Sequence, residues 1–371
     1  MDWSATEGPT SDEHQSRLYP TAVFLPILSA FAFLLSVPPC VIQAKARNFA
    51  ATVLATGIAF LNLSNFVNAV IWPKDDIDTW FTGVGLCDVD IKLVKGFWIA
   101  IDGAVVCIFR QLAIILDTEN VILVPSTKEK WRRRSIEAIF CVALPVYSMI
   151  MQYIFQPDRF AVLAISGCRS TFWLSWPSIV LYLTIQPIIC LIASAYGAVA
   201  VWRLIRYRQQ VSTILASSQS SVSRSRFIRL FIMSAILLLG YIPLTGYWLS
   251  LGAGEIRRFS WKIVHYQGWS GFIIYQAAHG HVLVDRWISA ALGFLLFMVF
   301  GMSEETLKMY RNWTRKLRLD QAGLYLYCRW LECKKTSTRS SSGHSCLVTR
   351  EDEKNSAMTT VAESRQSKLD R

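Results

Sequence analysis

Residues 21–43 read TAVFLPILSAFAFLLSVPPCVIQ, an apolar run that contains no charged side chain. A helix that crosses the hydrocarbon core of a bilayer, about 30 Å thick, needs about 20 such residues. The run is therefore long enough to span a membrane. Six further apolar stretches follow it, with approximate bounds at 50–72, 95–116, 136–155, 177–202, 227–251 and 286–302. The sequence thus predicts an all-α membrane protein, a bundle of seven transmembrane helices.

The composition of the whole chain agrees with this prediction. Of its 371 residues 53% are apolar, and the mean hydropathy is +0.34, values too high for a soluble protein of this length. Residues 1–20 hold four acids and one arginine, unlike the basic start of a cleavable secretory signal. We expect residues 1–20 to form an extracellular N-terminus, residues 21–302 the helical bundle, and residues 303–371 a cytoplasmic tail. The tail after about residue 320 is polar and rich in serine and threonine, which predicts disorder.

The distribution of lysine and arginine predicts the orientation of the bundle. These residues are denser in the loops after the first, third and fifth spans and in the tail than in the alternate loops. Basic loops favour the cytoplasmic side, so the N-terminus is expected outside and the C-terminus inside. Residues 71–93, which hold five aspartates in a chain of net charge +12, then form an extracellular loop. The basic charge faces anionic inner-leaflet lipids and cytosolic partners, so no nucleic-acid partner is needed to explain it.

Two of the nine cysteines, Cys87 and Cys168, fall in predicted extracellular segments, where disulfides form. Cys87 lies at the outer end of the third span, and Cys168 lies in the loop between the fourth and fifth spans. A disulfide between them would hold that loop over the mouth of the bundle. The alternative is a pair of unlinked thiols. The sequence has no CxxC spacing of the kind that binds zinc or serves redox chemistry.

A series of short motifs follows the predicted spans in order. They are PP....AKARN (38–48), N..N..NAVIWPKDDID.WF.GVGLCD (62–88), CIFR (107–110), GC (167–168), SSQSSVSRSRFIRLF (217–231), SWKIVHYQGW (260–269) and DRWISAALGFLLFMVFG (285–301). In this combination the chain resembles the fungal mating-pheromone receptors of the a-factor (lipopeptide) type, a family of seven-helix G-protein-coupled receptors. It departs from the family's usual pattern after Arg110, where Gln111 and Ala113 stand in place of a basic residue and a tyrosine.

The resemblance implies a function that composition and periodicity do not show. It implies a plasma-membrane receptor that binds an extracellular farnesylated and carboxymethylated peptide pheromone. It also implies that the inner face activates a heterotrimeric G protein, which leads to the mating response. No cofactor is implied, and the sequence leaves open whether the receptor forms oligomers.

Polar residues inside the spans are candidate functional residues, because ionisable groups in a membrane are costly and turn toward the bundle interior. Asp102 in the third span is expected to contact a polar group of the ligand or, alternatively, to make a purely structural hydrogen bond. Asn62, Asn65 and Asn68 recur every three residues along the second span and are expected to join helices. Asn68 lies nearest the outer end and is the candidate among them for contact with ligand.

Tryptophans near the outer ends of the spans complete the predicted ligand-binding set. Tryptophan is common at membrane interfaces, so most of these residues are expected to be anchors. A subset could instead line an apolar mouth for a prenyl chain, whose burial supplies about 0.8 kcal/mol per CH₂. The predicted ligand-binding residues are Asn68, Trp72, Trp98, Asp102, Trp173, Trp176 and Trp248.

Arginines at the predicted inner face are candidates for coupling to the G protein. They are Arg47, Arg110, Arg203, Arg206, Arg208, Arg224, Arg226 and Arg229. For Arg110 the alternative is a side chain that extends to the inner membrane interface. For the loop before the sixth span the alternative is contact with anionic lipid. Pro243, flanked by Gly240 and Gly246, is the predicted hinge of the sixth span, because a proline inside a helix removes a backbone hydrogen bond.

Other functional classes find less support in the sequence. It contains no HExxH or GxSxG motif and no pair of carboxylates within the spans, so an enzyme is not expected. His279 and His281 have no third metal ligand in view, so no metal site is predicted. A secondary transporter of a small solute is the alternative, since Asp102 and the asparagines of the second span could serve a transport path. Such a protein would be expected to show internal repeats, and the two halves of the sequence show none.

Overall fold

The computed structural model describes residues 18–117, 126–206, 229, 231–240, 243, 256–266, 271–301 and 306. Within these residues six helices are long and apolar enough to cross a membrane, and a shorter apolar helix lies in the predicted sixth span. In chain order they are α1 (Pro20–Lys45), α2 (Phe49–Ile71), α3 (Leu86–Ile115), α4 (Thr127–Ile154), α5 (Trp176–Arg206), α6 (Phe231–Gly240) and α7 (Val284–Gly301). Each predicted span overlaps one of these helices, and of the sixth, predicted at 227–251, the structure describes residues 229, 231–240 and 243. The predicted tail, apart from Thr306, lies outside the described residues.

Helix α3 begins at Leu86, earlier than the start near residue 95 that the sequence predicts. The early turns of α3 are charged, and a charged turn is normally assigned to a loop. Here the charges are satisfied by distant partners. Asp88 accepts a hydrogen bond from Arg159 Nε at 2.9 Å, Asp90 accepts one from Ser64 Oγ at 2.6 Å, and Lys92 Nζ donates to a glutamine side chain at 2.6 Å. These contacts allow the helix to extend through a polar segment.

Helices α4 and α5 each contain a π-helical turn within four residues before a proline. Pro145 has no N–H to donate to the carbonyl four residues earlier, which would normally break the helix. In the preceding π turn, Ile139–Ala143, the hydrogen bonding shifts by one residue, and the N–H of Leu144 donates to the carbonyl of Ile139. Helix α5 repeats the arrangement, with the π turn Ile179–Leu183 before Pro187. The wider turns let both helices continue through their prolines.

Helix α3 lies at the centre of the bundle and packs against α2, α4 and α5, while α1 packs against α2 and α7. Nearly all of α3 between residues 99 and 113 is buried. Gly103 permits the close approach to α4, because a Cβ added there would lie 2.1 Å from the carbonyl oxygen of Phe140. Gly293 of α7 meets α1 in the same way, since its added Cβ would lie 2.7 Å from the side chain of Ala32.

The end of the bundle that carries Cys87 and Cys168, called the disulfide end below, carries a three-stranded sheet. Strands β1 (Phe160–Leu163) and β2 (Gly167–Arg169) form an antiparallel hairpin between α4 and α5. Strand β3 (Ile273–Gln276), from the segment before α7, pairs with β1 in parallel. The sheet therefore joins two segments that are distant in sequence. The charge distribution assigns the disulfide end to the outside, and this orientation stays a prediction.

Candidate functional site

A cavity of about 450 Å³ lies inside the bundle, between α3, α5, α6 and α7. Its walls are almost entirely apolar, and include Ile101 and Val105 from α3, Ile189 from α5, Leu237 from α6 and Leu292 from α7. Sites for small organic ligands have volumes of about 300–1,000 Å³ and similar walls, with a few polar groups that orient the ligand. The cavity is thus of a size and character that suits an apolar ligand group.

Asp102 supplies the carboxylate of this cavity. It is 8% exposed, and its Oδ2 accepts a hydrogen bond from Gln186 Nε2 at 3.4 Å. Trp98, one helical turn earlier on α3, lines the same space. The structure therefore brings together two of the residues that the sequence assigns to ligand binding. A carboxylate held in an apolar wall can accept a hydrogen bond from a ligand or stabilise a positive charge on it.

The disulfide between Cys87 and Cys168 is present, and both cysteines are buried. The backbone of Cys168 is also held from two helices. Its N–H donates to Asn68 Oδ1 of α2 at 3.1 Å, and its carbonyl accepts from Arg286 Nη2 of α7 at 2.8 Å. Gly167, with φ of +69°, fits where any side chain would collide with Asn68. Strand β2 is therefore anchored to α2, α3 and α7 together.

Arg286, the first residue of the predicted seventh span, is a buried cation that the sequence analysis did not select as functional. It is 4% exposed, and its Nη1 donates to Asn65 Oδ1 at 2.9 Å. Asn65 in turn donates to Ser289 Oγ at 2.5 Å, and the carboxylate of Asp285 lies 3.9 Å from Arg286 Nε. One sequence signal did point here, because three asparagines on one face of a span need polar partners at the same depth of another span.

Asn68 and Trp72 do not lie at the cavity, where the sequence would have grouped them with Trp98. Trp72 is fully buried, and its Nε1 donates to the carbonyl of Phe81 at 3.0 Å. Asn68 is 2% exposed, and its Nδ2 donates to Asp90 Oδ2 at 2.9 Å. Both residues stabilise the disulfide end, Trp72 through the carbonyl of Phe81 and Asn68 through the N–H of Cys168. A tryptophan at the end of a span can be an anchor, a ligand contact or a packed core residue. Trp72 is packed, and ligand contact by Trp72 or Asn68 stays a prediction.

Trp173 and Trp176 lie closer to the surface of the disulfide end. Trp173 donates from Nε1 to the carbonyl of Arg258 at 3.3 Å, and the guanidinium of Arg257 lies 5.4 Å from its ring centre. Trp176, at the first turn of α5, is 67% exposed. Trp248 lies outside the described residues. Trp173 therefore ties the segment before α5 to the segment that follows α6.

The aspartates of residues 71–93 have structural roles that their charge did not predict. Asp75 is 2% exposed and accepts hydrogen bonds from the N–H groups of Ala278 and His279, both at 3.0 Å. Asp88 pairs with Arg159 across the loop after α4, and Asp90 joins α3 to α2. No group of three or more His, Cys, Asp or Glu side chains suited to a metal occurs within the part of the chain that the structure describes.

His265 lies at the disulfide end, in the segment before α7 and outside the spans. Its ring stacks on Trp261 with 3.9 Å between ring centres, and its Nε2 lies 3.2 Å from the carbonyl oxygen of Tyr153. Burial lowers the pKa of His265 below its ordinary value of 6.5, and this effect outweighs the opposite effect of the Tyr153 carbonyl. The neutral imidazole is therefore the form that the folded protein favours.

The opposite end of the bundle, called the arginine end below, contains those predicted G-protein-coupling residues that the structure describes. Arg203 of α5 donates from Nη1 to the carbonyl of Ala113 at 2.5 Å and pairs through Nη2 with Asp117 at 2.9 Å. Arg206 lies over the ring of Trp202 at 5.0 Å. Arg203 thus caps the last turn of α3, whose terminal carbonyls have no partner within the helix.

The other arginines of the predicted set differ in their accessibility. Arg47 is exposed and has a positive φ of 53° in the turn between α1 and α2. Arg110 is 8% exposed on α3, which agrees with an ionisable residue turned into the bundle. Arg229 is half-buried. Arg208, Arg224 and Arg226 lie outside the described residues, as do most neighbours of Pro243, which is itself helical and exposed.

A sequence model of the family described as "Pheromone A receptor" (STE3) matches residues 24–318. The "Pheromone a factor receptor" of Saccharomyces cerevisiae is 27% identical over 294 residues, which cover 79% of this chain and 62% of that protein. "Pheromone receptor 1" of Mycosarcoma maydis is 26% identical, over 77% of this chain and 82% of its own. The "Pheromone M-factor receptor" of Schizosaccharomyces pombe is 24% identical, over 81% of this chain and 79% of its own. The chain thus spans about 62% of the length of the S. cerevisiae protein.

Among solved structures, the crystal structure of squid rhodopsin aligns with a TM-score of 0.52. The alignment covers 80% of this chain and 86% of that chain at 14% identity. At this identity the likeness concerns the fold alone. Together with the family match and the six long apolar helices, it confirms the predicted seven-helix bundle.

Proposed function

This chain belongs to the pheromone A receptor family, and we propose that it is a G-protein-coupled receptor for a mating pheromone whose ligand is a prenylated peptide. The family consists of receptors, and neither an enzyme nor a solute transporter finds support in it. The relatives are described as receptors for pheromones, including a-factor and M-factor. Prenylation of the ligand follows from the resemblance to the lipopeptide branch.

The observation that supports this function best is the apolar cavity that holds Asp102. Aliphatic side chains such as Ile101, Ile189 and Leu292 form its walls. Burying an acyl or prenyl chain there would supply about 0.8 kcal/mol per CH₂. Asp102 with Gln186, and Trp98 beside them, would orient the polar part of the ligand. A site with apolar walls and one carboxylate fits a ligand that is part lipid and part peptide.

The cavity also suggests how binding is transmitted. Its walls belong to α5, α6 and α7 as well as α3, so a bound group would alter the spacing of helices that continue toward the arginine end. There, Arg203 joins α5 to the end of α3. We infer that ligand binding favours a state in which α6 moves about Pro243 and the contact between α3 and α5 loosens. Exposed cations such as Arg47, with the basic segment before α6, would then contact the G protein.

The deciding experiment is nucleotide exchange on a fungal Gα subunit in membranes that contain the full chain. Candidate mating peptides are applied with and without their farnesyl group. Exchange that only the prenylated form stimulates supports both the receptor and its ligand class. If no candidate stimulates exchange while surface expression is confirmed and a control receptor responds, the proposal fails. Equal potency of both forms would refute the role of the prenyl chain.

A cavity-filling variant tests the position of the site. Ala291 lines the cavity from α7, and Ala291→Phe should raise the pheromone concentration needed for half-maximal exchange at least tenfold, because the added ring occupies the space of the ligand. Val201 is 41% exposed on α5 and does not line the cavity. Val201→Phe is the matched control and should leave the response unchanged. Equal effects of the two variants would contradict this position.

A further inference from the structure

Helix α4 is longer than the membrane core requires. Its 28 residues, Thr127–Ile154, extend about 42 Å at 1.5 Å per residue. The hydrocarbon core is about 30 Å thick and takes about 20 residues. The apolar part of α4 begins near Ile136, so the first turns, residues 127–134, extend beyond the core. They therefore lie at the level of the lipid headgroups at the arginine end.

One face of these turns forms an open depression of about 540 Å³. Its walls are Thr127, Lys128, Trp131, Arg132 and Ser135. Because residues three or four apart lie one above the other on a helix, this spacing places all five side chains on one face. Trp131 is 73% exposed. A tryptophan so exposed at the end of a span is typical of a residue that contacts lipid at the interface.

The charges on this face are not neutralised by the acids of the same helix. Glu129 is engaged in the capping box with Ser126. Glu137 pairs with Arg133 at 2.9 Å, on another face of the helix. Lys128 and Arg132 are both exposed. The face therefore presents two cations, two hydroxyl groups and an indole to its surroundings.

We propose that this face binds the headgroup of an anionic phospholipid. Lys128 and Arg132 would bind its phosphate, as guanidinium and ammonium groups commonly do. The hydroxyl groups of Thr127 and Ser135 would donate further hydrogen bonds, and the indole of Trp131 would lie against the glycerol and the first acyl carbons. Its place at the membrane interface, beside an exposed indole, favours a lipid over a soluble phosphate.

Native mass spectrometry of the purified full chain with dioctanoyl phosphatidylserine tests the proposal. Lys128→Ala/Arg132→Ala should weaken binding roughly 10- to 30-fold, because the attraction of each Lys or Arg to an anionic membrane corresponds to roughly a three- to fivefold change in binding. The matched control is Lys130→Ala/Arg134→Ala, which removes the same charge from exposed residues of the same helix outside the depression. It should change binding less than threefold. Trp131→Ala should weaken binding of phosphatidylserine with both cations still present.

Several results would overturn the proposal. Equal losses in the two double variants would show that only net charge matters. Equal binding of phosphatidylcholine would remove the requirement for an anionic headgroup. Competition by millimolar inorganic phosphate would indicate a site for soluble anions. Unchanged lipid binding combined with reduced Gα nucleotide exchange would assign the face to a protein partner. Thermal unfolding of each variant, measured in parallel, ensures that folded protein is compared.

Discussion

Replacing Asn65 by leucine should destabilise the protein far more than the same replacement at Asn62, although both asparagines lie buried on one face of α2. Asn65 accepts a hydrogen bond from the buried guanidinium of Arg286 at 2.9 Å. A hydrogen bond to a charged group is worth about 1.5–3 kcal/mol. Leucine at Asn65 would also remove the bond to Ser289 Oγ. The expected loss is therefore about 2–4 kcal/mol.

Asn62 provides the matched control because its partners are neutral. Its Nδ2 donates to the carbonyls of Ile58 and Ser289 at 2.9 and 2.8 Å, while its Oδ1 has no hydrogen-bond partner among the described residues. Side-chain hydrogen bonds between helices in a membrane average about 0.6 kcal/mol. Leucine also removes the unsatisfied oxygen, so Asn62→Leu should cost at most about 1 kcal/mol.

Thermal unfolding followed with a thiol-reactive fluorophore measures this difference. Cys107, Cys141 and Cys190 are buried thiols that become reactive when the bundle opens. One kcal/mol corresponds to about 2–4 °C in domains of 150–250 residues, so the two variants should differ by several degrees. The double variant Asn65→Leu/Arg286→Met should recover part of the loss, because apolar replacement of buried charged groups often costs little. Equal Tm values for Asn65→Leu and Asn62→Leu would refute the reasoning. So would a double variant whose Tm loss equals the sum of the losses of Asn65→Leu and Arg286→Met.

Three further predictions concern the arginine end, the pH response and the disulfide. Asp117→Asn removes the partly exposed ion pair with Arg203, so ligand-independent Gα exchange should rise about two- to fivefold, the effect of about 0.5–1 kcal/mol. The control Arg206→Gln should not raise this exchange. Unchanged exchange in Asp117→Asn would contradict a restraining role of the ion pair. Burial lowers the pKa of His265 below 6.5, so the folded state binds fewer protons than the unfolded state and stability should fall as pH drops below about 6.5. In a pH series of Tm values, His265→Gln should lack this loss, and a variant with the same pH dependence as the original would assign the loss to another group. Cys168→Ser removes the disulfide between residues 81 positions apart, which should lower the free energy of unfolding by up to about 4 kcal/mol in the chain-entropy view. A Tm equal to that of the original would show that the hydrogen bonds from Asn68 and Arg286 to the backbone of residue 168 suffice.

The spans were predictable because bilayer thickness imposes a length that apolar runs reveal directly. Asp102 was predictable as an inward-facing residue for a related reason, since a carboxylate in a span is costly when it faces lipid. The early start of α3 at Leu86 was not predictable, because the charged side chains of its first turns are compensated by Arg159 and other residues distant in the sequence. Arg286 was missed for the same reason, as its partner Asn65 lies 221 positions away. Pairings of this kind depend on which helices become neighbours. The asparagines of α2 indicate that polar partners are needed, but no local pattern identifies which residue supplies them.

The parallel pairing of β1 with β3 makes the rigidity of the disulfide end depend on the backbone, and leaves its side chains free to differ. The two segments are joined through peptide groups, with Phe160 opposite Ile273 and Leu163 opposite Gln276. Bonds between peptide groups make little demand on side chains. Under the proposed function, substitutions of the half-buried and exposed side chains of β3 are expected to change the preference for a peptide without weakening the sheet. A lineage of receptors built in this way could change its mating partner by small steps, each of which leaves a folded protein.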